Sequence, residues 1–178
     1  MNKFFFFCRP GAVLILLIWC RVAVHAQTTT FQKLYGRPDE DIGFSLLSTG
    51  DRLLVAGRTT TPGAFDPDAL LMMLDADGNL LWQKSYGGAL SDAFYLVTEA
   101  NDGGFLALGT TRSFGQGATD LFIVKTDAAG NEQWTRTWGG ADDDNPGSLI
   151  RMPDGYVISS PQGTVGVTSR SFVARIDN

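Results

Sequence analysis

The chain has 178 residues, 44% hydrophobic and 19% charged, with 21 Gly, 7 Pro and a formal net charge of −5, an ordinary globular composition far from that of disordered or collagen-like chains. Its one His (His25) and both Cys (Cys8, Cys20) lie in the first 26 residues. If that stretch is removed, a Ser-His-Asp triad, a Cys nucleophile, a Cys/His zinc site, His-ligated haem and any disulfide are excluded.

Residues 1–26 have the three parts of a secretory signal peptide: Lys3 and Arg9 near the start, an apolar run over 11–20, and Val24 and Ala26 at −3 and −1 of a cut. The run is shorter than the ~20 apolar residues of a membrane span. Cleavage near Ala26 is expected, giving a secreted, cell-surface or periplasmic protein. The alternatives are an uncleaved anchor and a lipid anchor at Cys20, where Trp19 stands in place of the small residue needed. Loss of Lys3, Arg9 and Arg21 takes the basic residues from 14 to 11 against 19 acids, a mature charge of −8. Nucleic acid and anionic lipid need a basic face, so neither is an expected partner. Without Cys, an exported domain must be stabilised by packing, which ~150 residues can supply.

Residues 27–178 are expected to form one repeat domain. Tyr35-Gly36, Tyr86-Gly87-Gly88 and Trp138-Gly139-Gly140 recur at spacings of 51 and 52. The pairs Trp82 and Trp134, Asp68 and Asp120, Asp75 and Asp127, Gly57 and Gly109, and Gly78 and Gly130 are each 52 apart, and Asp177 follows Asp127 by 50. These offsets divide the chain into units at about 38–88, 89–140 and 141–178, preceded by a strand at 30–36.

In chain order, residues 31–36 match the fourth strand of a unit, since they align with 83–87 and 135–139. The middle unit is the clearest. It predicts strands over 93–100, 105–112, 120–127 and 132–138. Turns lie at Asn101-Asp102-Gly103-Gly104 and at 128–131, with a Gly-rich loop over 113–119. In the last strand, alternation sends Trp134, Arg136 and Trp138 to one face. No stretch of useful length has helical periodicity, and short strands with turn signals between them argue an all-β fold. Four antiparallel strands in ~50 residues are the signature of a β-propeller blade. The third unit ends after its third strand, so closure by the N-terminal strand is expected, the alternative being a repeat cut at arbitrary points or a truncated product. Three blades fall below the usual 4–8. A two-chain ring joined through the terminal strands is one solution, and open edges would also favour association.

The segments Asp75-Ala-Asp77-Gly78-Asn79-Leu-Leu-Trp82 and Asp127-Ala-Ala-Gly130-Asn131-Glu-Gln-Trp134, with Gly109-Thr110-Thr111, Asp120 and Val124-Lys125, carry a resemblance. The chain resembles a repeat family of secreted β-propeller proteins from Bacteroidetes-type bacteria, and the Asp-x-x-Gly-x-x-x-Trp docking pattern of quinoprotein-like and kelch-like blades. The resemblance covers nearly all of 31–178. It implies a propeller in which each blade's Trp packs on its neighbour, and it leaves function open, since such folds include enzymes and scaffolds. The third unit departs at Ser160, in place of Gly57 and Gly109, and at Arg170, in place of Asp68 and Asp120. Met73 replaces the Lys125 and Arg175 type.

Candidate chemistry is sparse. Asp75-x-Asp77-Gly78-Asn79 resembles the start of a calcium loop, but position 12 is Tyr86 rather than a bidentate Glu, so a hairpin is expected. Asp142, Asp143 and Asp144 are the candidates for weak Ca²⁺ binding, against a solvated loop as the plainer reading. Asp41, Asp92 and Asp144 fall roughly in register and are expected to accept backbone N–H bonds where each unit begins. Trp82, Trp134 and Trp138, with Gly78, Gly130, Asp75, Asp127 and Asp177, are expected to be structural. Lys33, Lys84 and Arg136 are expected in ion pairs between units. No pair of carboxylates stands out for glycoside hydrolysis, and no cofactor is expected. The expected function is an exported repeat module with a binding or structural role at the cell exterior, toward a protein or glycan. A fragment or subunit of a carbohydrate-active or quinoprotein-like enzyme is the alternative.

Overall fold

The computed structural model describes residues 31–36, 41–162 and 170–178. The expected leader, 1–26, lies outside the described residues. The described residues contain eleven strands and no helix: β1 (Ile42–Thr49), β2 (Arg52–Thr59), β3 (Asp68–Leu74), β4 (Leu80–Tyr86), β5 (Asp92–Glu99), β6 (Phe105–Thr111), β7 (Asp120–Thr126), β8 (Glu132–Trp138), β9 (Ser148–Met152), β10 (Gly155–Gln162) and β11 (Arg170–Asp177). They form three antiparallel sheets in simple meanders, β1-β2-β3-β4, β5-β6-β7-β8 and β9-β10-β11. The fold is all-β, and the strands of the middle unit begin and end within one residue of their expected bounds. β5 lies beside both β1 and β9, so the sheets approach one another along their first strands.

Burial follows from stacking. The second sheet lies between the other two, and its inner strands β6 and β7 are buried along their whole length. Strands covered on both faces read as continuous apolar runs rather than alternations, as FLALGTT and DLFIVKT do. One core joins Leu54, Ala56, Leu71 and Met73 of the first sheet to Phe94, Phe105, Phe122 and Val124 of the second. Within it Tyr86 meets Phe94 at 5.5 Å between ring centroids, and Phe94 stacks on Phe122 at 5.4 Å. A second core joins Leu106, Leu108, Leu121 and Ile123 to Tyr156, Ile158, Ala174 and Ile176 of the third sheet. A third cluster, Leu70, Met72 and Leu74, lies on the far face of the first sheet, with Tyr35 packed on it.

Residues 31–36 do not complete the last sheet within the molecule. Among the described residues they pair with no strand, and β11 pairs with β10 alone. They lie instead against the first sheet, where Tyr35 Oη donates to the Gly78 carbonyl at 2.6 Å and Lys33 Nζ to Asn79 Oδ1 at 2.7 Å.

Matching bulges occur in β1 and β5. Pairing steps from Gly43↔Gly57 to Ser45↔Ala56 and from Phe94↔Gly109 to Leu96↔Leu108, leaving Phe44 and Tyr95 as the extra residues. Their rings meet at 4.8 Å. The bulge presses the opposite backbone onto the glycine, so a Cβ at Gly57 or Gly109 would collide with the Ile42 or Ala93 carbonyl oxygen. The third sheet tolerates Ser160 at this place because β9 begins only at Ser148, which pairs with Ser159. The Ser160 hydroxyl instead donates to the Asn145 carbonyl at 2.7 Å. Gly109→Ala is expected to lower stability by about 1–3 kcal/mol through overpacking, read as a drop in the urea midpoint. Gly140→Ala, with open space around it, should stay within about 0.5 kcal/mol. Equal midpoints for the two would contradict the bulge account.

Candidate functional site

The polar residues of the repeat converge on the junctions between sheets. At the first junction the β3–β4 and β7–β8 turns set the geometry. Asp127 Oδ1 accepts the Ala129 and Asn131 backbone N–H groups at 2.9 and 2.8 Å, and its Oδ2 accepts from the Asn131 amide at 2.7 Å. Gly130 takes φ +75° inside this turn, a conformation that costs glycine nothing. Lys84 of the preceding sheet donates to Asn131 Oδ1 at 2.5 Å, and Tyr86 Oη donates to the Gly130 carbonyl at 2.6 Å. A Cβ on Gly130 would lie 2.8 Å from the Trp82 ring, so that ring rests on the glycine itself. The same arrangement recurs with Lys33 and Tyr35 on the Asp75–Gly78–Asn79 turn, where Phe31 replaces Trp82.

Asp75 and Asp127 therefore cap turns, and hydrogen bonds from Asn79 and Asn131 hold both carboxyls below the usual carboxylate range. Lys33 and Lys84 bind an Asn amide oxygen rather than a carboxylate, which corrects the expected ion pairs; their charge reaches the Asp through the amide. Arg136 also departs from the expectation, since its guanidinium stacks 4.8 Å from the Trp134 ring centre. Trp134 packs on the core between the second and third sheets, and Trp138 meets Phe172 edge-on at 4.5 Å. Asp177 is exposed, with its Oδ1 3.4 Å from Arg175 Nε; its carboxylate stands beside a cation of its own strand.

A second set of carboxylates sits where each sheet begins. Gly88 N–H donates to Asp92 Oδ2 and Gly140 N–H to Asp144 Oδ2, both at 2.9 Å. Asp92, Asp120 and Asp144 are almost wholly buried. Gly87 lies between the Asp68 and Asp92 carboxylates, and Gly139 between those of Asp120 and Asp144. Burial, followed by the nearby Asp92 charge, raises the Asp68 pKa. Asp142 and Asp143 are exposed while Asp144 turns inward, so the three do not share one face. Among the described residues no three His, Cys, Asp or Glu side chains gather as a metal cage would require.

One ion pair has no counterpart in the first sheet. Lys125, buried, donates to both oxygens of Asp102 at 2.8 and 2.7 Å and to Gln133 Oε1 at 2.6 Å, which lowers the Asp102 pKa. Arg175 likewise meets Asp154 at 2.5 Å in the third sheet. Met73 takes that place in the first.

Some of the residues that break the repeat gather elsewhere. A recess of about 240 Å³ is lined by Arg58, Asp92, Tyr95, Arg112 and Asn145, among others. Tyr95, Arg112 and Arg58 stand where Phe44, Thr60 and Thr110 stand in the partner repeat. Sequence reasoning missed this site; the departures from the repeat were the available signal.

No protein-family model matches the chain. It is similar to the regulatory protein FlaEY of Caulobacter vibrioides, with 30% identity over 105 residues, 52% of this chain and 11% of that protein. The chain thus spans about a tenth of that relative's length.

Two outcomes check this picture. Tyr86→Phe, which leaves the buried Gly130 carbonyl without its donor, should cost about 1–3 kcal/mol in urea unfolding; an unchanged midpoint would contradict it. Asp68 has a raised folded-state pKa, so it favours folding only while protonated and penalises the ionised state at neutral pH. Asp68→Asn is therefore expected to raise the thermal midpoint at pH 7, with the gain disappearing below the unfolded value of 3.8. A gain that persists at pH 3 would rule out the charge explanation.

Proposed function

We propose that this chain is an exported module of the β-propeller type, with its sheets as blades, that binds a hydroxyl-rich or carboxylate-bearing glycan at the cell exterior. The leader-like 1–26 and the acidic mature charge support export. Sequential four-stranded meanders that meet along their first strands support the propeller reading. The observation that carries the function is the division of labour among polar residues. Those that repeat tie sheet to sheet, while Arg58, Tyr95 and Arg112 depart from the repeat and, with Asn145, line one recess. Guanidinium groups beside a phenol suit planar carboxylates and sugar hydroxyls.

The recess has one carboxylate, Asp92, and that group is engaged by Gly88 N–H and the Ser113 hydroxyl. A pair of acids for glycoside hydrolysis is not assembled there, which favours binding over the enzyme alternative. A glycan array that includes uronic acids should give a hit, and Arg112→Ala should weaken it about tenfold or more. Tyr95→Phe should weaken it less. No binding, or release of reducing sugar from the bound glycans, would overturn the reading.

A further inference from the structure

The dipeptide Asp-Gly occurs three times, at Asp77-Gly78, Asp102-Gly103 and Asp154-Gly155, each time where one strand turns into the next. Such a pair is chemically vulnerable. Glycine has no side chain to shield its amide nitrogen, and attack by that nitrogen on the preceding carboxyl carbon closes a five-membered imide. The carboxyl must be free to swing toward the nitrogen. It must also be protonated, because a carboxylic acid loses water on attack and a carboxylate does not.

The three carboxyls are held very differently. Asp102 accepts from Lys125 Nζ at 2.8 and 2.7 Å and from the Gly104 N–H at 3.0 Å. Those bonds keep it below the usual carboxylate range, so it stays ionised and clamped. Asp154 meets Arg175 at 2.5 Å. The Asp77 side chain is exposed, and among the described residues no hydrogen bond or ion pair engages its carboxylate; its backbone N–H alone is held, by Asp75 Oδ1 at 2.9 Å. The glycine amides do not make the difference. Gly78 and Gly103 both donate to the carbonyl three residues back, at 3.0 and 3.2 Å. The matching turn of the second sheet has Ala129 where the first has Asp77, so it lacks the reacting carboxyl.

We propose that Asp77-Gly78 is a site of spontaneous isomerisation to isoaspartate, and that this modification releases residues 31–36 from the first sheet. The Gly78 nitrogen bonds to Asp77 Cγ and the Cγ–OH bond breaks, so one water leaves with the carboxyl hydroxyl and the amide proton. The imide then takes up one water. Opening at Cγ restores aspartate, whereas opening at the α-carbonyl runs the chain through the side chain and frees the α-carboxylate. No oxidant or cofactor enters. Isoaspartate adds one carbon to the backbone just before Gly78, and the contacts that seat 31–36 converge there. Tyr35 Oη donates to the Gly78 carbonyl, the Phe31 ring rests on Gly78, and Lys33 donates to Asn79 Oδ1.

The test holds the full chain in warm, mildly acidic buffer, then applies isoaspartyl methyltransferase with labelled S-adenosylmethionine, and peptide mass spectrometry places the label. Labelling is expected at residue 77 well ahead of 154 and 102. It should be lost in Asp77→Ala and should appear at the second turn in Ala129→Asp, with both variants keeping the strand signal in circular dichroism. In urea the three native pairs should label alike. Equal labelling in the folded chain, Asp102 in the lead, no label at 77, an unlabelled Ala129→Asp, or the same order in urea would overturn the proposal. Trypsin reads the consequence: cleavage after Lys33 should be faster in the aged chain than in the fresh one, and ageing should not change it in Asp77→Ala. Labelling at 77 without that difference would overturn the release of 31–36.

Discussion

A ring resting on a glycine governs how one sheet stacks on the next. Trp82 lies against Gly130 because that residue has no Cβ, and Tyr86 reaches the Gly130 carbonyl because the turn presents it outward. Asp127 makes the turn possible by accepting two backbone N–H groups and the Asn131 amide. The contact is therefore local in its preparation and long-range in its effect. A turn is pre-shaped by residues four apart, and a strand more than forty residues away docks on it. An Asx-type turn satisfies its own backbone donors, so the glycine carbonyl stays available for the neighbouring sheet.

This arrangement explains why the acidic residues repeat without forming a site. Asp75 and Asp127 are spent on turns, and Asp92 and Asp144 on the start of each sheet. Buried carboxylates persist only when hydrogen-bonded, and backbone amides at Gly88 and Gly140 supply that here. The strain shows where two of them meet, at Asp68 and Asp92. The recess is marked instead by departures from the repeat, at Arg58, Tyr95 and Arg112.

Much of this was legible in the sequence. The alternation in EQWTRTW and the continuous apolar runs before it place the strands, and Asp-Gly-Asn spacing places the turns. Offsets of 52 mark Trp82, Trp134, Gly78 and Gly130 as a set, although only coordinates show that the Trp of one sheet meets the glycine of the next. The partners of Lys33 and Lys84 were not legible, because a nearby Asp suggests an ion pair and the intervening Asn amide is silent in a charge pattern. Nor was the seat of 31–36, since matching a fourth strand does not say which of two contacts that strand makes. Ser160 reads as a departure from the repeat until the shortened β9 shows that no β9 residue pairs with it. Lys125 was visible as part of the repeat pattern, but its partner Asp102 sits in a turn that reads as a simple hairpin.

The most direct measurement is a double-mutant cycle on Trp82 and Gly130 by urea unfolding. Gly130→Ala alone forces a Cβ into the ring, whereas in a Trp82→Ala background that collision is gone. The account predicts that the cost of Gly130→Ala falls in that background, with a coupling of about 0.5–3 kcal/mol, as expected for residues in contact. Costs that simply add would contradict the claim that this contact joins the sheets.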